Sequence, residues 1–179
     1  MYKMTSTDKM VRLLKKAYSG ELAAALAYRG HWGSLSRHED RERIKQIEFE
    51  EWMHRKVVGR ILQSFRTSPD RIREVKGFLL GRLLGFGCGL MGWFAPMYLA
   101  GFLESKNILE YKNAVQLAVE CGHSELLECL SEMAKTEWEH ERFFRSKVLS
   151  HRFSRWIPIW RSPEDFTTEN TELTQTASL

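Results

Sequence analysis

Two tetrapeptides constrain this chain more than anything else in it: Glu51-Trp52-Met53-His54 and Glu137-Trp138-Glu139-His140. Each is Glu-x-x-His in a polar, helix-favouring run. On a helix, residues three apart share a face one turn apart, so each motif stacks a carboxylate beside an imidazole. Each such pair can hold one metal ion, and two pairs can face each other across a bundle, joined by two further Glu. That geometry demands an inward Glu on a partner helix for each motif. Glu21 lies in the apolar stripe Gly20-Glu21-Leu22-Ala23-Ala24-Ala25, thirty residues before Glu51. Glu104 follows Ala100-Gly101-Phe102-Leu103, thirty-three residues before Glu137. The chain reads as two helical hairpins of one design, each contributing Glu and then Glu-x-x-His.

The rest of the pattern is all-α. At 179 residues the chain is long enough for one domain with a real core. No sustained apolar/polar alternation and no Asn-Gly or Asp-Gly turn marks a hairpin of strands. Apolar spacing and caps predict a first helix over 6–35, a break at 34–40 and a second helix over 39–65, ending before Pro69. The short loop makes these two antiparallel neighbours. A third bundle helix should run from near Pro96 to about Gly122, and a fourth from near Ser124 to about His151. The bundle domain is therefore placed at 6–151, with an apolar insertion at 77–95 and a C-terminal extension at 152–179.

The insertion is unlike its surroundings. From Gly77 to Leu103 the only charge is Arg82, and seven glycines punctuate the run. Leu83–Leu103 has the length of a membrane span. Dense Gly, Pro96 and the inward Glu104 favour instead a short apolar helix ending near Gly92, in a hairpin buried in the protein or lying on a membrane surface. So many large apolar side chains point to lipid or an apolar substrate. Arg152–Arg161 carries Phe153, Trp156, Ile157, Ile159 and Trp160, which suits either an interfacial segment or docking against the bundle. Ser162–Leu179 reads as a polar, partly disordered tail.

Charge and cysteine usage exclude other classes. The net charge of +4 is scattered among acidic residues, as expected of solvated helix faces rather than a nucleic-acid surface. Cys88, Cys121 and Cys129 form no Cys-x-x-Cys pair, which suggests reduced thiols in a reducing compartment. Met1–Lys16 has no apolar core and is not expected to act as a secretory signal. Among the remaining polar residues, Glu48, Glu50, Glu139 and Glu141 are expected on the surface, as are His31, His38, His123 and His151 on the surface or at helix ends. Trp52 and Trp138 are read as packing residues. Tyr18, Tyr28 and Tyr111 are candidates to hydrogen-bond the ligands, and Ala23, Ala24, Ala25 and Ala27 leave room for a substrate near Glu21.

Four carboxylates and two imidazoles suit Fe²⁺ or Mn²⁺, and four Glu neutralise two divalent cations. The order Glu, Glu-x-x-His, Glu, Glu-x-x-His over roughly 13–147 resembles the ferritin-like di-iron proteins. More closely, the chain resembles the demethoxyubiquinone hydroxylase family of ubiquinone biosynthesis. Gly20-Glu21, the Gly-rich stretch 84–92 before the third Glu, and the Glu-x-Glu-His form at 137–140 carry that likeness. The resemblance implies a ferritin-like four-helix bundle with Glu21, Glu51, His54, Glu104, Glu137 and His140 as iron ligands. It implies a monooxygenase that activates O₂ and hydroxylates a quinone ring, with two Fe as cofactor and electrons from NADH or a reductase. It also implies peripheral attachment to the inner, cytoplasmic face of a membrane; a homodimer is one assembly it allows. The family usually closes with a further apolar helix, where this chain has the Trp/Arg stretch and polar tail. Two rival readings are a ferroxidase or peroxidase of the ferritin or rubrerythrin kind and a metal-free helical scaffold. The apolar run argues against a storage cage, and the missing Cys-x-x-Cys module argues against rubrerythrin.

Overall fold

A computed structural model describes residues 4–163, and among these there are helices and no strands. Five long helices follow in order: α1 (Ser6–Ser34), α2 (His38–Ser64), α3 (Arg71–Leu90), α4 (Phe94–Glu120) and α5 (Leu127–Ser150). Short 3₁₀ turns precede α5 at Ser124–Leu126 and follow it at Arg152–Arg155.

The helix ends follow from local chemistry. Thr5 and Asp8 form a capping box at the start of α1: Thr5 Oγ1 accepts from the Asp8 N–H at 3.1 Å, and Asp8 Oδ2 accepts from the Thr5 N–H at 3.0 Å. Asp70 caps α3 by accepting from the N–H groups of Ile72 and Arg73. Gly122, with φ of 73°, ends α4 in a left-handed turn; the His123 N–H returns to Ala118 O and the Gly122 N–H to Val119 O.

Helices α1, α2, α4 and α5 form the bundle, with α1 against α2 and α4 against α5. Its interior has three layers. Met10, Leu14, Val58, Leu62, Tyr111, Leu117 and Leu130 fill one end. Tyr28, Ile44, Ile47, Met97, Phe144 and Val148 fill the other. Between them lies a buried belt of Glu and His.

Helix α3 departs from expectation. It is a full 20-residue helix that starts at Arg71, well before the apolar run, and it packs along α1. Gly77, Gly81 and Gly85 lie one turn apart on the face toward α1. A Cβ on Gly77 would stand 2.5 Å from Ser19 O, on Gly81 2.5 Å from Ala23 O, and on Gly85 2.8 Å from Leu26 O. Only a residue without a side chain permits that approach. The large apolar residues therefore point outward: Leu83, Phe86 and Leu90 are 68%, 71% and 76% exposed. No helix among the described residues is long and apolar enough to cross a membrane.

After α5 the chain docks on the bundle. Trp160 is buried, seated over Gly101, and its Nε1 donates to Glu141 at 2.7 Å. Tyr98 Oη donates to Pro158 O and Arg145 to Trp160 O. Trp156, in contrast, is 85% exposed. The tail expected to be disordered lies, from residue 164 onward, outside the described residues.

Candidate metal centre

The sequence motifs converge. Glu21 comes from α1, Glu51 and His54 from α2, Glu104 from α4, and Glu137 and His140 from α5, and all six are buried. One donor atom each from Glu21, Glu51, His54 and Glu137 lie within 4.8 Å of one another, and so do donor atoms from Glu51, Glu104, Glu137 and His140. The two quartets share Glu51 and Glu137. The two lone Glu were expected to join the pairs; instead they sit at the outer ends. The reason is a cross-over. His54 Nδ1 meets Glu137 Oε1 at 2.9 Å, and His140 Nδ1 lies 3.2 Å from Glu51 Oε1. Each imidazole reaches the other motif's carboxylate, so the motif carboxylates fall in the middle.

The belt is under-satisfied as it stands. Glu21 Oε2, both Glu51 oxygens and His140 Nδ1 are buried without a hydrogen-bond partner. Each such atom costs about 1–3 kcal/mol of desolvation. Burial pushes Glu51 and Glu104 well above the usual carboxylate range, with Glu137 adding to both, and burial also raises Glu21. For Glu137 burial acts the same way, but the close approach of Glu104, His140 and His54 outweighs it and holds this carboxyl well below its ordinary value. Burial disfavours the charged imidazoles, yet the neighbouring carboxylates raise both: Glu137 for His54, and Glu137, Glu50 and Glu51 for His140. Oxygen and nitrogen donors at this density, left unpaired around common points, fit two divalent cations.

Outer hydrogen bonds orient the donors. The Tyr28 hydroxyl donates to Glu104, and the Tyr111 hydroxyl donates to Glu21. Asn107 Nδ2 donates to Glu104 Oε2 at 3.0 Å. His140 Nε2 meets Glu50 Oε2 at 2.7 Å, and Arg43 and Gln46 hold that same carboxylate. Such partners set the imidazole's tautomer and aim its other nitrogen inward.

Several expectations about single residues need correcting. Tyr18 does not reach the belt; its ring lies 3.7 Å under the Arg55 guanidinium. Glu50 is half-buried against His140, and Glu48 accepts from Trp32 and Trp52. Glu141 is fully buried as the acceptor for Trp160. His31 is 2% exposed. Of the four Glu expected on the surface only Glu139 is exposed, and His38 is exposed as expected. Trp52 and Trp138 are partly exposed: Trp52 donates to Glu48, and Trp138 lies under the Arg142 guanidinium. The signal for Glu50 was present as Arg43, Gln46 and Glu50 on one helical stripe, but only the fold shows what that stripe faces.

A cavity of about 380 Å³ opens between α1, α3 and α4 and reaches Glu21, Glu104, Tyr28 and Tyr111. Its wall is mostly apolar, with Leu80, Leu84, Met91, Leu99 and Leu103 toward the outside. Ala23, Ala24 and Ala27 give it width, whereas Ala25 packs into the core instead.

The family model for ubiquinone biosynthesis protein COQ7 matches residues 8–115, which include α3, Glu21, Glu51, His54 and Glu104. No curated protein and no solved structure matches the chain.

Proposed function

The chain belongs to the ubiquinone biosynthesis protein COQ7 family, and from that premise we propose that it is a di-iron monooxygenase that hydroxylates the ring of a quinone-type apolar substrate. The observation that carries this reading is the junction of an apolar cavity with the Glu/His belt at Glu21 and Glu104. A storage site needs access for ions; a hydroxylase needs a dry slot for a ring beside its oxidising centre, and this wall is apolar.

Glu21 and His54 would hold one iron, Glu104 and His140 the other, with Glu51 and Glu137 between them. Bound iron would pass two electrons from the reductant to O₂; with two protons and the two electrons of the ring C–H bond, that reduction gives one ring hydroxyl and one water. The protein's own residues do the rest. Tyr28 and Tyr111 fix the outer carboxylates by hydrogen bonds. Glu50 fixes the His140 ring. The leucine-lined wall excludes water and holds the ring close to Glu104. NADH or a separate reductase is the source of electrons in this reading.

The outward face of α3, with Leu79, Leu83, Phe86 and Leu90, then serves as the surface by which the protein lies on the inner, cytoplasmic face of the membrane. An apolar substrate dissolved in lipid would enter the cavity between α3 and α4 without crossing water.

The test is turnover with a short-chain methoxyquinone, reductant and O₂ after anaerobic iron loading. The expected product is heavier by one oxygen, and ¹⁸O₂ supplies that atom. O₂ consumption driven by Fe²⁺ and indifferent to quinone would instead mark a ferroxidase.

A further inference from the structure

The belt does not use every buried polar group along the cavity. His31, on the last turns of α1, also lines it. The side chain is 2% exposed, and its Nε2 has no hydrogen-bond partner. A polar atom left bare inside a protein is costly unless something else arrives to meet it.

The surroundings hold this nitrogen in place without satisfying it. The imidazole stacks on Phe144 at 6.2 Å between centroids and 15° between planes. Phe144 stacks in turn on Tyr28, at 5.6 Å and 10°. Tyr28 carries the hydroxyl that binds Glu104. Asp40, the acid whose charge acts on this imidazole, is already engaged by Lys147 Nζ at 2.7 Å and Trp93 Nε1 at 3.2 Å. Burial keeps the imidazole neutral, lowering it to about 4 despite Asp40. A neutral ring offers either an N–H or a lone pair at Nε2, according to tautomer. His31 lies three residues beyond Tyr28, about 4.5 Å of helical rise further from the belt.

We propose that His31 Nε2 is the hydrogen-bond partner of a ring oxygen on the substrate, fixing which ring carbon faces Glu104. The carbonyl, hydroxyl or ether oxygen of a quinone-type ring matches this nitrogen, and the apolar remainder of the cavity matches the rest of such a molecule. The role is binding and orientation; the oxidising chemistry lies at the belt. This rests on the ring-hydroxylation reading, and the test separates the two.

The experiment uses the metal-free full chain, titrated with a short-chain methoxyquinone and with an alkylbenzene of similar size, and read by quenching or shift of tryptophan fluorescence. His31→Phe keeps the stack on Phe144 and removes the nitrogen. It should weaken the quinone about tenfold, the scale of one lost hydrogen bond, and leave the alkylbenzene unchanged. His31→Gln, which restores an amide donor and acceptor, should recover most of that loss. In the iron-loaded enzyme, His31→Phe should also scatter hydroxylation over more than one ring position. Equal quinone affinity in wild type and His31→Phe overturns this proposal alone and means that Nε2 meets only a buried water. If the wild type binds the alkylbenzene but not the quinone, both this proposal and the ring-hydroxylation reading fail.

Discussion

Glu51 differs from the other carboxylates of the belt: both its oxygens are buried and neither has a hydrogen-bond partner. Without a cation, this group and Glu104 are pushed well above the usual carboxylate range, so the belt retains protons. Metal must displace those protons, and its apparent affinity should therefore rise with pH. A potentiometric or two-buffer calorimetric titration reads this directly; proton uptake on loading would contradict it. His31 gives a second pH signature. Its folded-state value, lowered to about 4, lies below the ordinary imidazole value near 6.5. Within that window the unfolded chain binds a proton that the folded chain refuses, so the His31 contribution to stability falls as pH falls, and the loss is complete below about 4. His31→Phe removes it. Denaturant unfolding of the metal-free protein should show the variant gaining on wild type by up to about 1.4 kcal/mol per pH unit as pH falls through the window.

At the scale of the element, α3 is built inside out. Its small residues face the protein and its large apolar ones face away, which explains why its role was hard to read from sequence. Apolar periodicity assumes that bulk marks the buried face; here Gly77, Gly81 and Gly85 mark it, because α1 approaches to backbone contact. The charged start at Arg71 likewise hid the first two turns behind an apparently apolar insertion. The bundle helices were easier, since Thr5, Asp8 and Gly122 announce their ends in the ordinary way. The two faces of α3 make opposite predictions. Gly81→Leu forces α3 off α1 and should cost several kcal/mol, seen as a large drop in Tm. Leu83→Glu with Phe86→Glu changes only the outward face: Tm should hold within a few degrees, while co-sedimentation with anionic vesicles should be lost. Vesicle binding that survives the double substitution would remove α3 as the membrane contact.

At the scale of the whole molecule, the six converging side chains were legible in the sequence because helical geometry alone carries them: i, i+3 spacing, matched intervals and two Glu in apolar stripes. What the spacing could not carry is which helix lies across from which. The sharing of Glu51 and Glu137, the Glu50–His140 contact, the burial of Glu141 under Trp160 and the burial of His31 all depend on that. The family match ends at residue 115, before α5, yet Glu137 belongs to both quartets and His140 completes the second. The shared carboxylates tie the two quartets together and give the most direct test of the site. Anaerobic titration of the full chain with Fe²⁺, followed by metal analysis, should load two ions per chain. Glu21→Ala touches one quartet and should lower loading to about one, whereas Glu51→Ala touches both and should abolish it. Fewer than one ion in the wild type, or unchanged loading in Glu51→Ala, would contradict the di-metal centre.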